Sequence, residues 1–165
     1  MGTLDGLLPQ FDREMSTTRK VLERVPDEHF GWKPHVKSYS LGELASHIAG
    51  LPTWATETLN SSMFDIGNGR STVPVSSRSE LLSTFDANVS AARHALSSSS
   101  DAGLKAVWTL KRHGTPIFSM PKDVVLRSFV LSHLIHHRGQ LSVYLRLLDL
   151  PVPSIYGPSA DEPAF

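Results

Sequence analysis

Apolar residues recur at every third or fourth position in four stretches of the chain, and this spacing predicts four amphipathic α-helices. The first predicted helix covers residues 4–25 and ends before Pro26, because proline removes a backbone donor from a helix interior. The second covers residues 40–58 and the third residues 77–97. The last covers residues 121–148 and opens with a proline, which is favoured at the first helical position.

Capping signals and a proline refine the second predicted helix. Ser40 precedes Glu43 by three residues, the capping-box spacing in which each side chain bonds the other residue's backbone N–H. The third helix opens with the same serine–glutamate spacing. Pro52 lies inside the second apolar stripe, where it removes a donor and clashes with the preceding turn. We therefore expect a kink near Gly50.

Between and after the helices the pattern changes. Residues 106–110 and 116–120 are short runs on either side of a glycine-containing turn, which predicts a small β-hairpin or an extended arm before the last helix. Residues 64–74 are rich in turn formers and predict a mobile loop. Residues 149–165 contain too many prolines for a helix and predict an irregular tail.

Length and element pattern together predict the fold class. At 165 residues the chain suits a single domain, residues 1–165, whose core needs no covalent staples. Four long amphipathic helices in a domain of this size predict an all-α fold, a four-helix bundle. Because two of the connections are long, a simple up-down-up-down path does not follow from the pattern.

Composition narrows the function classes. Sixteen basic side chains balance sixteen acidic ones, which argues against electrostatic binding to nucleic acid or to anionic lipid. No apolar run approaches the roughly 20 residues of a membrane span, and the amino terminus lacks the features of a secretory signal, so a cytoplasmic protein is expected. The chain has no cysteine, so any metal must be held by nitrogen and oxygen ligands.

Two histidines on the last predicted helix carry the main chemical signal. His133 and His137 are four residues apart, which places them on one helix face about 6 Å apart, close enough to share a metal ion. The same stripe holds Leu126, Gln140 and Tyr144, so the two imidazoles are expected to face inward. One interpretation is a pair of core histidines that bond each other or the neighbouring glutamine and tyrosine. The other is a metal site.

A third histidine on another helix favours the metal. His47 lies on the second apolar stripe, between Leu44 and Leu51, and is also expected to face inward. Three inward-facing imidazoles without a shared ligand would be costly to bury, whereas a divalent metal ion binds neutral imidazoles well. We therefore predict a metal site on His47, His133 and His137, with at least one coordination position open for water or substrate.

Other polar and aromatic side chains have two interpretations each. Glu43 either fixes the tautomer of a ligand imidazole or, more simply, caps its own helix. His136 either bonds a ligand from the second shell or lines a helix contact. Gln140 and Tyr144 either contact substrate or pack, and Trp54 either walls a pocket or belongs to the core. The remaining histidines are expected in solvent or in loops: His29, His35, His94 and His113.

The back of the last helix suggests a partner. Leu131 and Ile135 lie about 160° from His133, and Leu134 lies at about 100°. A helix that is apolar on both sides is usually buried on both sides. We therefore expect a homodimer packed partly through this helix.

Three segments make the chain similar to a known family. They are Gly31-Trp-Lys-Pro34 followed by Ser40-Leu-Gly-Glu-Leu-Ala-Ser-His-Ile48, then His133-Leu-Ile-His-His-Arg-Gly-Gln-Leu-Ser-Val-Tyr-Leu-Arg146, and finally Pro153-Ser-Ile-Tyr-Gly-Pro158. On these motifs, which together span almost the full chain, the sequence resembles the DinB/YfiT-like family of small bacterial proteins.

The resemblance implies a fold, a cofactor and a reaction class. It implies a four-helix bundle with up-up-down-down connectivity, commonly dimeric, and a divalent ion, nickel or zinc, on a histidine triad that matches His47, His133 and His137. Relatives include transferases and isomerases that use a low-molecular-weight thiol, and others described as hydrolases. A thiol-dependent S-transferase acting on small electrophiles is the leading hypothesis for this chain. The alternatives are a metal-dependent hydrolase and a non-catalytic metal- or ligand-binding bundle.

Overall fold

The computed structural model describes residues 2–67, 69 and 74–163. Within these residues the chain is mostly helical, with one small sheet. Its elements are α1 (Thr3–Leu22), α2 (Leu41–Gly50), α3 (Pro52–Asn60), β1 (Met63–Asp65), α4 (Arg78–Ser97), α5 (Asp101–Lys105), β2 (Val107–Arg112), β3 (Thr115–Pro121), α6 (Lys122–Val124) and α7 (Ser132–Leu147). A π-helical segment, Val125–Leu131, joins α6 to α7.

The long helices pack around one apolar core. Helix α4 contacts α1, α2 and α3, and α7 contacts α1 and α2, so the α2–α7 contact brings the second and last predicted helices together. Leucine, isoleucine and valine side chains from these helices form the core, with Phe11 from α1 and Phe85 from α4. The three-stranded sheet corrects the all-α expectation, whereas the four-helix bundle with up-up-down-down order stays a prediction.

The start of α2 and its break follow the sequence signals. The Ser40 hydroxyl accepts a hydrogen bond from the Glu43 N–H at 3.1 Å, and the Glu43 carboxylate accepts one from the Ser40 N–H at 2.6 Å. This reciprocal capping box is confirmed. The expected kink is a break between two helices, because α2 ends at Gly50 and α3 begins at Pro52.

The predicted hairpin is confirmed, and a third strand extends it. Strands β2 and β3 are antiparallel and are joined at His113 and Gly114, whose φ angles of 49° and 77° suit a tight hairpin turn. Strand β1 pairs in parallel with β2. Residues 64 and 65 therefore belong to a strand rather than to the predicted loop. That loop also includes residues 68 and 70–73, which lie outside the described residues. A three-residue strand is too short to show an alternating pattern.

The last predicted helix is confirmed in extent but not in regularity. In the π-helical segment the Ser132 N–H bonds the Arg127 carbonyl five residues back, instead of four. The buried face of α7 is formed by Leu134, Arg138, Leu141 and Leu145. His133, which was predicted at the centre of the inward-facing side, therefore lies at the edge of the buried face and is partly exposed to solvent.

The apolar back of the last helix is covered by the chain itself. Leu131 is 2% exposed and Leu134 is fully buried, both within the core formed with α1 and the other helices. Because these two residues are buried within the chain itself, they do not need a partner to cover them. Whether the protein forms a homodimer through another surface stays a prediction.

The tail is irregular, as predicted, and is held by ion pairs. Arg24 pairs with Glu162 at 2.5 Å and Arg146 with Asp161 at 2.5 Å. In the part of the chain that the structure describes, no helix combines the length and the apolar character needed to span a membrane.

Candidate metal centre

The three predicted ligands come together in space. The Nε2 atoms of His47 and His133 are 3.3 Å apart, and those of His133 and His137 are 2.9 Å apart. One ring nitrogen from each of the three residues lies within 4.8 Å of the other two. His47 comes from the last turn of α2, and the other two come from the first turns of α7. The contact between α2 and α7 therefore assembles the triad.

Two carbonyl oxygens determine which ring nitrogens carry protons. The Gln140 side-chain oxygen lies 2.7 Å from His137 Nδ1. The backbone carbonyl of Phe129 raises the pKa of His133, as an acceptor of a ring N–H does. Because a carbonyl oxygen only accepts hydrogen bonds, each ring must donate an N–H to it. Since Nε2 of His133 faces the other rings, its donor is Nδ1, and both neutral rings present a bare Nε2.

As a consequence, the Nε2 atoms of His133 and His137 meet at the centre of the triad without a hydrogen between them. The bare Nε2 atoms of His133 and His137 are two acceptors 2.9 Å apart, and two acceptors cannot hydrogen-bond each other. If His47 Nε2 carries a proton, its single N–H can donate to the Nε2 of His133, and the Nε2 of His137 is left without a donor. The arrangement calls for a cation that all three lone pairs can share.

The electrostatics keep the imidazoles neutral. Burial, together with the neighbouring rings of His137 and His133, lowers the pKa of His47 to about 4. Burial also lowers the pKa of His133 and of His137, although the hydrogen bonds to Phe129 and Gln140 oppose this shift. Neutral imidazole is the form that binds metal, so the triad is ready for a metal ion at neutral pH.

The nitrogen spacing suits a divalent transition metal. With metal–nitrogen distances of about 2.0–2.1 Å, two ligand nitrogens lie about 3.4 Å apart at a tetrahedral angle and about 2.9 Å apart at a right angle. The measured separations are 3.3 Å and 2.9 Å. Metal-bound histidines typically donate their other ring N–H to an oxygen acceptor, and His137 Nδ1 faces the Gln140 oxygen in this way. The residues present therefore fit a divalent ion in both donor type and spacing.

A large, mostly apolar hollow lies on one side of the triad. It has a volume of about 630 Å³ and contains His47 and His133 in its wall. Its apolar lining includes Leu51, Trp54 and Phe129. Polar groups at its edge are Ser46, Thr53, Thr84, Asn88 and Arg112. We call this space the apolar hollow; its size is in the range of small-molecule binding sites.

A second hollow, more polar, lies on the other side. It has a volume of about 580 Å³ and is lined by Lys33, Val36, Lys37, Ser38, Tyr39, Glu43, His137, Gln140 and Tyr144. We call it the polar hollow. Tyr39 and Glu43 line both hollows, so they stand between the two spaces beside the triad. None of the described tail residues lines either hollow, so the tail leaves the site uncovered.

The structure assigns places to the other predicted side chains. Glu43 serves as the helix cap and pairs with Lys33 at 3.2 Å, while no bond links it to a ligand imidazole in the described structure. Trp54 lines the apolar hollow, where its ring meets Phe129 edge-on. His136 is exposed, with its ring 4.9 Å from that of His137.

Gln140 and Tyr144 both line the polar hollow, but they do different things there. Gln140 bonds the ligand His137, whereas the Tyr144 hydroxyl donates to the Tyr39 carbonyl at 3.2 Å. The Phe129 carbonyl and the Tyr39 side chain were missed by the sequence analysis. The carbonyl is backbone and carries no residue-type signal. Tyr39 is distinguished only by its position directly before the Ser40 cap.

Comparisons with known proteins identify the family of the chain. Residues 1–164 match the model of the DinB family. The uncharacterized protein YrdA of Bacillus subtilis is 30% identical over 97% of this chain and 92% of its own length. A DinB-like protein from Bacillus cereus ATCC 10987 has a TM-score of 0.72 at 24% identity, covering 92% of this chain and 97% of its own. A second, YjoA from Bacillus subtilis, has a TM-score of 0.65 at 18% identity, with coverages of 89% and 94%. The chain belongs to the DinB family.

Proposed function

We propose that the protein binds a divalent metal ion, nickel or zinc, through Nε2 of His47, His133 and His137 and uses it in catalysis. One observation carries the proposal. One ring nitrogen from each of three histidines converges on a single point, and the Nε2 atoms of His133 and His137 lie 2.9 Å apart, the spacing of two ligands on one metal ion. A cluster of this kind is incomplete without a cation.

The chain's own residues prepare the site for chemistry. Gln140 and the Phe129 carbonyl hold two imidazoles in one tautomer and orientation, which preorganises the ligands. Trp54 and Phe129 border the apolar hollow next to the triad and give it an aromatic wall. His47, His133 and His137 would hold the ion, which would supply a lowered pKa to a water or thiol bound beside them.

Of the two enzyme hypotheses, the position of the hollows favours transfer over hydrolysis. A transferase must hold two substrates at one centre, and the triad has an apolar hollow on the His133 side and a polar hollow on the His137 side. The apolar hollow suits a small electrophile. Since the chain has no cysteine, a thiol must come from a low-molecular-weight cosubstrate. We therefore propose a thiol-dependent S-transferase.

The first experiment measures metal binding and then turnover. Purified protein is stripped with EDTA and titrated with nickel and zinc by calorimetry, and the loaded protein is assayed for conjugation of a chromogenic electrophile with a panel of thiols. Turnover that requires both thiol and metal supports the transferase. Metal-dependent turnover without thiol identifies the hydrolase instead.

The matched variants separate the site from the rest of the protein. We expect His133→Ala to lose metal and turnover together, while His94→Ala, which changes an exposed histidine of α4, keeps both. Stoichiometric metal without any turnover would identify the non-catalytic alternative. No uptake of either metal by the wild type would overturn the site.

We also propose that the protein is a homodimer through the exposed face of α7. Val143 is 57% exposed and Leu147 is 58% exposed, and Gly139, on the same face, leaves open space for a close helix contact. Sedimentation at micromolar concentration tests this. The wild type should sediment as a dimer and Val143→Glu as a monomer; a monomeric wild type would rule it out.

A further inference from the structure

The polar hollow beside the triad differs from the apolar one in its hydrogen-bonding groups. Some of its acceptors are already used by the protein. The Glu43 carboxylate accepts from the Ser40 N–H at 2.6 Å and from Lys33 at 3.2 Å. The Gln140 oxygen faces His137 at 2.7 Å, and the Tyr39 carbonyl accepts from Tyr144 at 3.2 Å.

Several hydrogen-bond donors that line the same hollow have no acceptor among the described residues. Lys37 lines the hollow and forms no ion pair within the described residues, so this basic side chain is free to meet an anion. The Gln140 side chain uses its oxygen for His137, so its NH₂ group has two N–H donors and no acceptor among the described residues. Lys33 has further N–H donors beyond the one that faces Glu43.

The charge balance of the lining points the same way. Two lysines, Lys33 and Lys37, face a single carboxylate, Glu43, in the lining, so the hollow has an excess of positive charge. A space with free donors and a net positive charge is complementary to an anion with several acceptor oxygens.

We propose that the polar hollow binds an oxyanion, a carboxylate or a phosphate, of one of the two substrates. Lys37 supplies the charge and the Gln140 NH₂ group supplies directed hydrogen bonds, beside His137 of the triad. Only the assignment of this anion to a substrate depends on the proposed function. The second substrate, which enters the apolar hollow, then has no need of a charged group.

The test uses the metal-free protein, so that direct coordination of the anion by metal plays no part. Full-length ¹⁵N-labelled protein stripped with EDTA is titrated at pH 7.5 and constant ionic strength, in one series with succinate and in another with inorganic phosphate. We expect saturable shifts of the Gln140 side-chain NH₂ and the Lys37 backbone amide. The anion that saturates at the lower concentration identifies the group as carboxylate or phosphate.

Two variants with matched chemistry decide whether the hollow is responsible. Lys37→Gln should raise the dissociation constant roughly threefold to tenfold, the range for the loss of one charged contact. Lys20→Gln removes another exposed lysine, which lies on α1 outside both hollows. This variant should leave the dissociation constant of the anion unchanged. Shifts that do not saturate with either anion, or an affinity equal in wild type and Lys37→Gln, would overturn the proposal. Since no metal is present, the result is independent of metal binding and turnover.

Discussion

Two polar clusters lie side by side on α7, and they differ in whether they are complete. Arg138 is 1% exposed and pairs with the Glu14 carboxylate at 2.8 Å. The Tyr156 hydroxyl accepts from Arg138 at 2.6 Å and donates to Glu14 at 2.8 Å, so charge and hydrogen bonds close within the cluster. One residue earlier, His137 belongs to a triad in which His133 and His137 present two bare nitrogens to each other. Only the second cluster needs something from outside.

The difference arises from what covers each side of the helix. Successive residues of an α-helix point about 100° apart, so His137 and Arg138 face different neighbours. Helix α1 covers Arg138 and supplies Glu14, and the tail adds Tyr156. The histidine side faces α2 and two open hollows. A closed cluster holds the fold together, whereas an unmatched one beside open space is suited to binding.

The largest expected effect comes from opening the closed cluster. Glu14→Gln keeps the side-chain shape but leaves the buried charge of Arg138 without its counterion, so we expect a loss of about 3–5 kcal/mol in the free energy of unfolding. Urea unfolding measures it. The matched control is Asp12→Asn, also on α1, which removes the partner of the exposed Arg93 and should cost less than about 1 kcal/mol. Equal losses in the two variants would contradict the structural role of this cluster.

Removing a ligand from the open cluster should change metal affinity rather than folding. We expect His137→Ala to weaken nickel or zinc binding more than a hundredfold, because loss of a second-shell partner alone costs about ten- to a hundredfold. Competition with a chelating dye measures the affinity. The unfolding free energy of the metal-free variant should stay close to that of the wild type. A large loss of metal-free stability would mean that the triad is a structural cluster like that of Arg138.

A smaller effect on metal affinity is expected from removing Gln140, which hydrogen-bonds the ligand His137. Gln140→Ala removes the acceptor that holds the proton of His137 on Nδ1, and metal affinity should fall about ten- to a hundredfold. The control is Gln10→Ala, which removes a glutamine that bonds Arg127 on another surface. If the two variants bind metal equally well, the Gln140 hydrogen bond does not orient the ligand.

The last expected effect is a pH dependence of the metal-free protein. The folded-state pKa of His47 is lowered to about 4, below the ordinary value near 6.5, so between these values the unfolded chain binds more protons than the folded one. The free energy of unfolding should therefore be highest above about pH 6.5 and should decrease as the pH falls toward 4. Urea unfolding at several pH values should show a shallower decrease for His47→Gln. A wild-type protein as stable at pH 5 as at pH 7 would contradict the shift.

The helices, the hairpin and the three histidines could be predicted because their signals are local. The Ser40–Glu43 spacing, the break at Pro52 and the four-residue spacing of His133 and His137 each need only a short stretch of chain. Strand β1 could not be predicted, since it depends on pairing with β2 more than forty residues away. The π-helical segment before His133 also lacks a local signal.

The sequence by itself determined the helices, their caps and the residue types that can bind a metal, because periodicity and spacing act within a few residues. It also placed His133 and His137 on the same helix face, because they are about one helical turn apart. Only the tertiary structure decided that His47 meets this pair, that the Phe129 and Gln140 carbonyls leave bare nitrogens facing inward, and that hollows of opposite character flank the triad. It also placed Arg138, next to His137 in sequence, in a closed structural cluster. These features depend on which helix covers which side of α7, and that is settled by packing over the whole chain.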